Sequence, residues 1–192
     1  MAEQRQSVVT PERFEQGLTY ERWIAAIDRN QENFQENYDA AELSEEDVRA
    51  FIELVAGPDG PAKCLALGEA WCPDVFRGLP VMARIAEACG MEMRVFFRDK
   101  NKDIMAEFLK DGQHESIPTF VFYARDHRYI CRWVERPALA NEEMHLLREI
   151  FENRPREEAL AEYVAFRKGP VWAAWRRETV REIRELLTQH CP

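Results

Sequence analysis

The apolar run Cys64-Leu65-Ala66-Leu67-Gly68 is followed, after Glu69-Ala70, by Trp71-Cys72-Pro73-Asp74. This junction constrains the fold more than any other stretch of the chain. The run suits a buried strand. Proline suits the first position of a helix, where its missing N–H has no intrahelical partner. The chain is therefore expected to pass from strand to helix at this point, with Cys72 at the N-cap. A thiolate there would face unpaired backbone N–H groups and the positive end of the helix dipole, both of which favour the charged form.

The segments around this junction set the fold class. Thr10-Pro11-Glu12 predicts a helix start, with Phe14, Leu18, Trp23, Ile24 and Ile27 on its apolar side. After a polar stretch from Asn30 to Asn37, Ser44 can cap a helix carrying Val48, Phe51, Ile52 and Val55. Gly57-Pro58-Asp59-Gly60-Pro61 ends this helical segment. From Ala62 strands and helices alternate, which predicts an α/β sheet with crossover helices. The expected order is a strand at about 63–69, a helix at about 73–89, a strand at 91–97, a helix at 101–110, a hairpin of 119–123 with 129–134 across Asp126-His127, and a helix capped by Asn141. Past Pro155 the chain is helical, with a break at Gly169-Pro170. The three expected divisions are a helical extension over 1–61, an α/β core over 62–152, and a helical extension over 153–192. Trp172, Trp175, Val180, Ile183 and Leu187 recur at helical spacing, which serves either packing on the core or a surface for a homodimer or another partner.

Charge and cysteine usage narrow the function classes. The first 60 residues carry 14 acids against 5 bases, the whole of the net charge of −9, and the rest of the chain balances. That distribution argues against nucleic acid or an anionic membrane as partner, since both attract basic surfaces. An acidic, solvated helical layer fits it, as does an acidic docking face. The five cysteines, at 64, 72, 89, 131 and 191, form no C-x-x-C pair and have no zinc-ligand spacing, so neither a disulfide scaffold nor a metal or other cofactor is expected. The start Met1-Ala2-Glu3-Gln4-Arg5-Gln6-Ser7 lacks an apolar leader and no run reaches transmembrane length. A reducing cytoplasm is the expected setting for such free thiols.

Trp71-Cys72 at a strand-to-helix turn, Pro80 eight residues after the cysteine, and Ile117-Pro118-Thr119 further along together resemble the thioredoxin superfamily over about residues 62–152. More narrowly, the chain is similar to bacterial thioredoxin-like proteins with Trp-Cys-x-Asp in place of Trp-Cys-Gly-Pro-Cys, and Arg98-Asp99 fits that subgroup. The resemblance implies a thioredoxin-like fold with added terminal helices and an Ile117–Pro118 peptide bond in the cis form. It also implies a loop edge there that receives a thiol or disulfide substrate, and a site that includes Trp71, Pro73 and Asp74. Two departures stand out. Val75 occupies the place of the resolving thiol, and Ala66 that of the buried aspartate. Glu69 stands where a peroxiredoxin has threonine, and Cys-Pro-Asp-Val differs from the Cys-Gly-Phe-Ser of monothiol glutaredoxins.

Two functions follow from these residues. One is a monothiol thiol-disulfide oxidoreductase with Cys72 as nucleophile, resolved by glutathione, a second protein thiol or a distant cysteine, of which Cys191 on the tail is the mobile candidate. The other is a redox-inactive binding or adaptor module that uses the same groove or the extra helices. Asp74 and Glu69 are both expected to oppose ionisation of Cys72 by like-charge repulsion. His114 near the proline loop is read as a surface residue.

Overall fold

The computed structural model describes residues 7–152 and 154–191; Met1–Gln6, read above as part of a leaderless start, lie outside them. Four helices come first: α1 (Pro11–Glu15), α2 (Tyr20–Ala26), α3 (Gln31–Asp39) and α4 (Glu45–Ala56). The alternating part follows as β1 (Lys63–Gly68), α5 (Pro73–Cys89), β2 (Glu92–Phe97), α6 (Lys102–Met105), β3 (Thr119–Tyr123), β4 (Tyr129–Val134), α7 (Ala138–Glu142) and α8 (Met144–Phe151). Helices α9 (Arg156–Arg167) and α10 (Pro170–His190) complete the chain. The strands make one mixed sheet in the order β2-β1-β3-β4. β2 is parallel to β1, while β3 is antiparallel to both β1 and β4.

The strand directions gather the candidate site at one end of the sheet. Gly68 pairs with Phe97 and Leu67 with Thr119, while Thr119 also pairs with Val134. The ends of β1, β2 and β4 and the start of β3 therefore coincide. Cys72, Arg98-Asp99, Ile117-Pro118 and Glu135-Arg136 emerge there side by side. The opposite end carries the Gly57–Gly60 turn and the β3–β4 loop, where His127 adopts a positive φ of 70° and Arg128 pairs with Asp59 at 2.6 Å.

Helix α5 is the centre of the core. Of its 17 residues, 11 are buried, among them Leu79, Pro80, Met82 and Ile85, as expected for a helix enclosed on nearly all sides. It packs on β1 beneath and against α3, α4 and α10 above. The indoles of α10 face inward, so the packing alternative holds for Trp172 and Trp175: both are buried and each donates its N–H, to Asn37 at 2.9 Å and Glu143 at 2.7 Å. These bonds let large amphipathic rings be buried without an orphaned donor.

Several sequence expectations need correction. The first apolar segment is two helices, because Leu18 leaves helical geometry to exchange backbone hydrogen bonds with Val95 at the edge of β2. The polar Asn30–Asn37 stretch is largely helix α3, started by Asn30 in a left-handed conformation and buried through Phe34 and Asn37. The helix expected at 101–110 shrinks to Lys102–Met105, and Lys110 instead bridges to His114. Asn141 caps nothing; it lies inside α7, and the chain bends at Glu143, whose carboxylate receives the Trp175 indole. Ser44 does cap α4, reciprocally with Asp47.

Helix α5 approaches the sheet closely at Gly68, where a Cβ would stand 2.8 Å from Val75 Cγ1. Gly68→Ala should therefore destabilise the protein by about 1–3 kcal/mol. Adding Val75→Ala should return part of that loss, with urea denaturation midpoints as the measurement.

Candidate functional site

Pro73 opens α5 at its first position and leaves Cys72 as N-cap, in an extended conformation. The Cys72 N–H donates to the Glu69 carbonyl, and its own carbonyl accepts from Val75 and Phe76, so the thiol is fixed on the first turn. Asn30 secures the approach by donating its side-chain amide to the Ala70 carbonyl at 2.8 Å. Across the site the Ile117–Pro118 bond is cis, and the Cys72 thiol donates to the Ile117 carbonyl at 3.7 Å. The loop is held from behind: Glu135 N–H donates to the Pro118 carbonyl at 2.6 Å and the Thr119 hydroxyl to Ser116 at 2.8 Å. Gly78 of α5 lets Pro118 come close, since a Cβ there would stand 3.2 Å from the proline ring.

Cys72 is 8% exposed. Burial pushes its pKa up, and the Asp74 carboxylate adds to the rise. The backbone N–H groups of Val75 and Asp74 and the Arg136 guanidinium pull the other way without cancelling the shift. The balance is physically reasonable. A helix N-terminus contributes about 0.3–1 kcal/mol, up to ~2 in sheltered positions, whereas removing a thiolate from water costs more than that when no full counter-charge touches it. Cys72 therefore rests as a thiol near neutral pH.

Asp74 is held by two arginines. Its carboxylate is 2.8 Å from Arg77 of α5 and 2.8 Å from Arg136 beyond β4. Arg77 is fully enclosed, with its guanidinium 5.2 Å from the Trp172 ring centre and 5.4 Å from that of Trp175. Burial draws its pKa down, while Asp74 opposes that shift. Arg136 also pairs with Glu135, which in turn pairs with Lys110 at 2.5 Å. Neither Arg77 nor Arg136 was singled out in the sequence. Position Arg77 carried a signal, lying three residues after Asp74 on one helix face, but Arg136 carried none.

Other candidates are placed as follows. Trp71 is 49% exposed, with Arg98 over its ring at 5.4 Å, and Arg98 also donates to the Glu115 carbonyl in the proline loop. Val75 and Ala66 are fully buried in the core. Glu69 is turned away from repelling the thiol: its carboxylate accepts the Asp99 N–H at 2.8 Å and caps the short turn after β2. Cys191 lines a hollow with Gly57, Pro58 and Asp59, at the end of the sheet opposite Cys72, so it is not placed to resolve a mixed disulfide. All five cysteines are free, and burial pushes the Cys131 thiol up to about 12. His114 is exposed, in the turn it shares with Lys110. From α9, Tyr163 lies near the site: burial raises its phenol pKa, the Arg167 and Arg77 charges pull it down, and the Asp74 carboxylate adds to the rise. Among the described residues no group of three His, Cys, Asp or Glu side chains could hold a metal ion, and no helix is long and apolar enough to cross a membrane.

The family model described as thioredoxin matches residues 17–152. Among solved structures, a Pseudomonas aeruginosa protein of unknown function is 14% identical, with a TM-score of 0.65 over 92% of this chain and 95% of that one. An HIV epitope scaffold is also 14% identical, with a TM-score of 0.64 over 96% of this chain and 99% of that one. At this identity the likeness establishes the fold alone. No curated protein matches the sequence.

The reassignment of Glu69 is directly testable. Glu69→Ala leaves the Asp99 N–H without its acceptor, which should cost about 1–3 kcal/mol in urea denaturation. The pH dependence of Cys72 alkylation should stay unchanged in that variant.

Proposed function

The chain belongs to the thioredoxin family, and from that premise we propose that it acts by single-thiol exchange at Cys72, with the Ile117–Pro118 loop positioning a thiol or disulfide substrate. The observation that carries this reading is the placement of the Cys72 thiol at the start of α5, 3.7 Å from the Ile117 carbonyl beside a cis proline. Trp71, Pro73 and Asp74 complete the proposed site. The catalytic unit is residues 62–152, extended by helices on either side.

The chemistry needs no metal or cofactor. Cys72 loses its proton and attacks one sulfur of an external disulfide. A Cys72–substrate disulfide forms, the substrate S–S bond breaks, and the leaving thiolate takes up a proton. With Val75 at the resolving position, a second external thiol must attack the mixed disulfide, releasing Cys72 and carrying away the bound half as a new disulfide. A low-molecular-weight thiol of a reducing cytoplasm suits this step.

A second reading is favoured by the upward shift of the thiol pKa through burial: a redox-silent module that binds partners through the same fold. Peptide-resolved alkylation with iodoacetamide across pH, together with reaction with oxidised glutathione, separates the two. A raised pKa means that reactivity is low below the usual thiol value of about 8.5 and grows as pH rises through the shifted value. Single-thiol exchange predicts one glutathione adduct per chain on Cys72 in that range, and none in Cys72→Ser. Absence of the adduct even where Cys72 alkylates readily would leave the binding module as the function.

A further inference from the structure

We propose that Arg136 is a positioning residue for Cys72, joining the helix that carries the thiol to the strand end that secures the proline loop and supplying the positive charge that a thiolate there requires. The inference rests on Cys72 being the reacting group and goes beyond it, because Arg136 belongs to none of the motifs, Trp71-Cys72, Pro80, Arg98-Asp99 and Ile117-Pro118-Thr119, that carry the resemblance.

The geometry carries it. Lys110, Glu135, Arg136, Asp74 and Arg77 form a continuous chain of alternating charges, linked by contacts of 2.5 Å for Lys110–Glu135 and 2.8 Å for both Asp74 pairs, with Glu135 and Arg136 in direct contact. Its two ends brace the two halves of the site. Arg77 and Asp74 lie on α5 just past Cys72. Glu135 donates its N–H to the Pro118 carbonyl, and Lys110 lies at the head of the loop leading into Ile117. Arg136 is the only link in this chain between the two groups, so it couples the position of the thiol to that of the carbonyl it faces.

The network also carries a charge surplus. Lys110, Arg136 and Arg77 bring three positive charges against the two carboxylates of Glu135 and Asp74, which leaves one positive charge shared between Arg136 and Arg77. The other charged or titratable groups near the thiol do not replace it. Glu69 is committed to the Asp99 N–H, and Arg98 stands over Trp71. From α9, Tyr163 is a neutral phenol near pH 7, and Arg167 lies over the Tyr163 and Phe76 rings. Arg136 is mostly shielded from solvent, its side chain 17% exposed. It has a buried Nε with no partner and a second nitrogen 3.1 Å from the Met144 sulfur, a weak acceptor. Arg77 has buried Nε and Nη2 atoms without a partner too, and ionising Cys72 would help to balance the surplus that the two arginines share.

The test is the pH–rate profile of Cys72 with iodoacetamide, a neutral probe that reports thiolate alone, in the full chain. Arg136→Met should slow alkylation near neutral pH by roughly 3–10-fold, corresponding to a rise of about 0.5–1 in pKa. Arg136→Lys should recover at least half of that loss by restoring charge. Asp74→Asn should move the profile the opposite way, with a rate increase of similar size, and this arm holds even if Arg136→Met fails to fold. A wild-type profile in Arg136→Met, equal slowing in Arg136→Lys, or slower reaction in Asp74→Asn would each overturn the proposal. The outcome is distinct from that of the exchange reading: a chain whose Cys72 never takes up glutathione defeats single-thiol exchange, while the ordering of these alkylation profiles still decides the role of Arg136.

Discussion

Enclosure of α5 determines both the stability and the chemistry of this protein. A helix that carries Cys72 at its start is pressed on β1 from one side and covered by α3, α4 and α10 on the other. Each fully buried aliphatic side chain on it contributes roughly 1.5–3 kcal/mol relative to exposure. The same enclosure takes most of the first turn out of water, although Pro73 stays exposed. The thiol, a guanidinium and a carboxylate then share a poorly solvated space, and loss of water is the main reason the Cys72 thiol is pushed up and Arg77 drawn down.

The terminal helices act on the site as well as on the core. Arg77 is tolerated inside the protein because Asp74 accepts from it and two indoles of α10 present their faces to it. Those tryptophans are anchored in turn by Asn37 of α3 and Glu143 between α7 and α8. A residue next to the reactive turn is thereby held by elements from both ends of the chain. The added helices are thus structural partners of the thiol site, and the thioredoxin family match, over residues 17–152, takes in α2, α3 and α4 but not α9 or α10.

Much of this was legible in local patterns. The Cys64–Gly68 strand, the 73–89 helix, the 119–123 and 129–134 strands and the Gly169-Pro170 break follow from apolar periodicity and from proline and glycine punctuation, which act within a few residues. Missed features had longer-range causes. Leu18 abandons a helix because the edge of β2 offers it two backbone hydrogen bonds. The segment around Asn30–Asn37 becomes a helix that packs on the core through Phe34 and Asn37, where Asn37 meets Trp172 and Arg176 from the far end of the chain. The loop before the cis proline shortens an expected helix because Lys110 turns back on His114.

For the site, the sequence by itself determined a single thiol at a strand-to-helix turn, an acidic neighbour at Asp74, a proline loop at Ile117-Pro118 and a non-thiol Val75 where a dithiol site would keep its second sulfur. The thiol, the turn and its acidic neighbour depend on residue identity and near-neighbour spacing, while the role of the proline loop and the meaning of Val75 came from the resemblance to thioredoxins. Only the tertiary structure decided that Glu69 serves the Asp99 N–H and that Asp74 is clamped by Arg77 and Arg136. It likewise decided that Cys191 lies at the far end of the sheet and that burial outweighs the helix terminus in setting the Cys72 thiol. Those outcomes depend on which distant groups the folded chain brings within a few ångströms and on how much water it removes from between them, and no local pattern encodes either quantity.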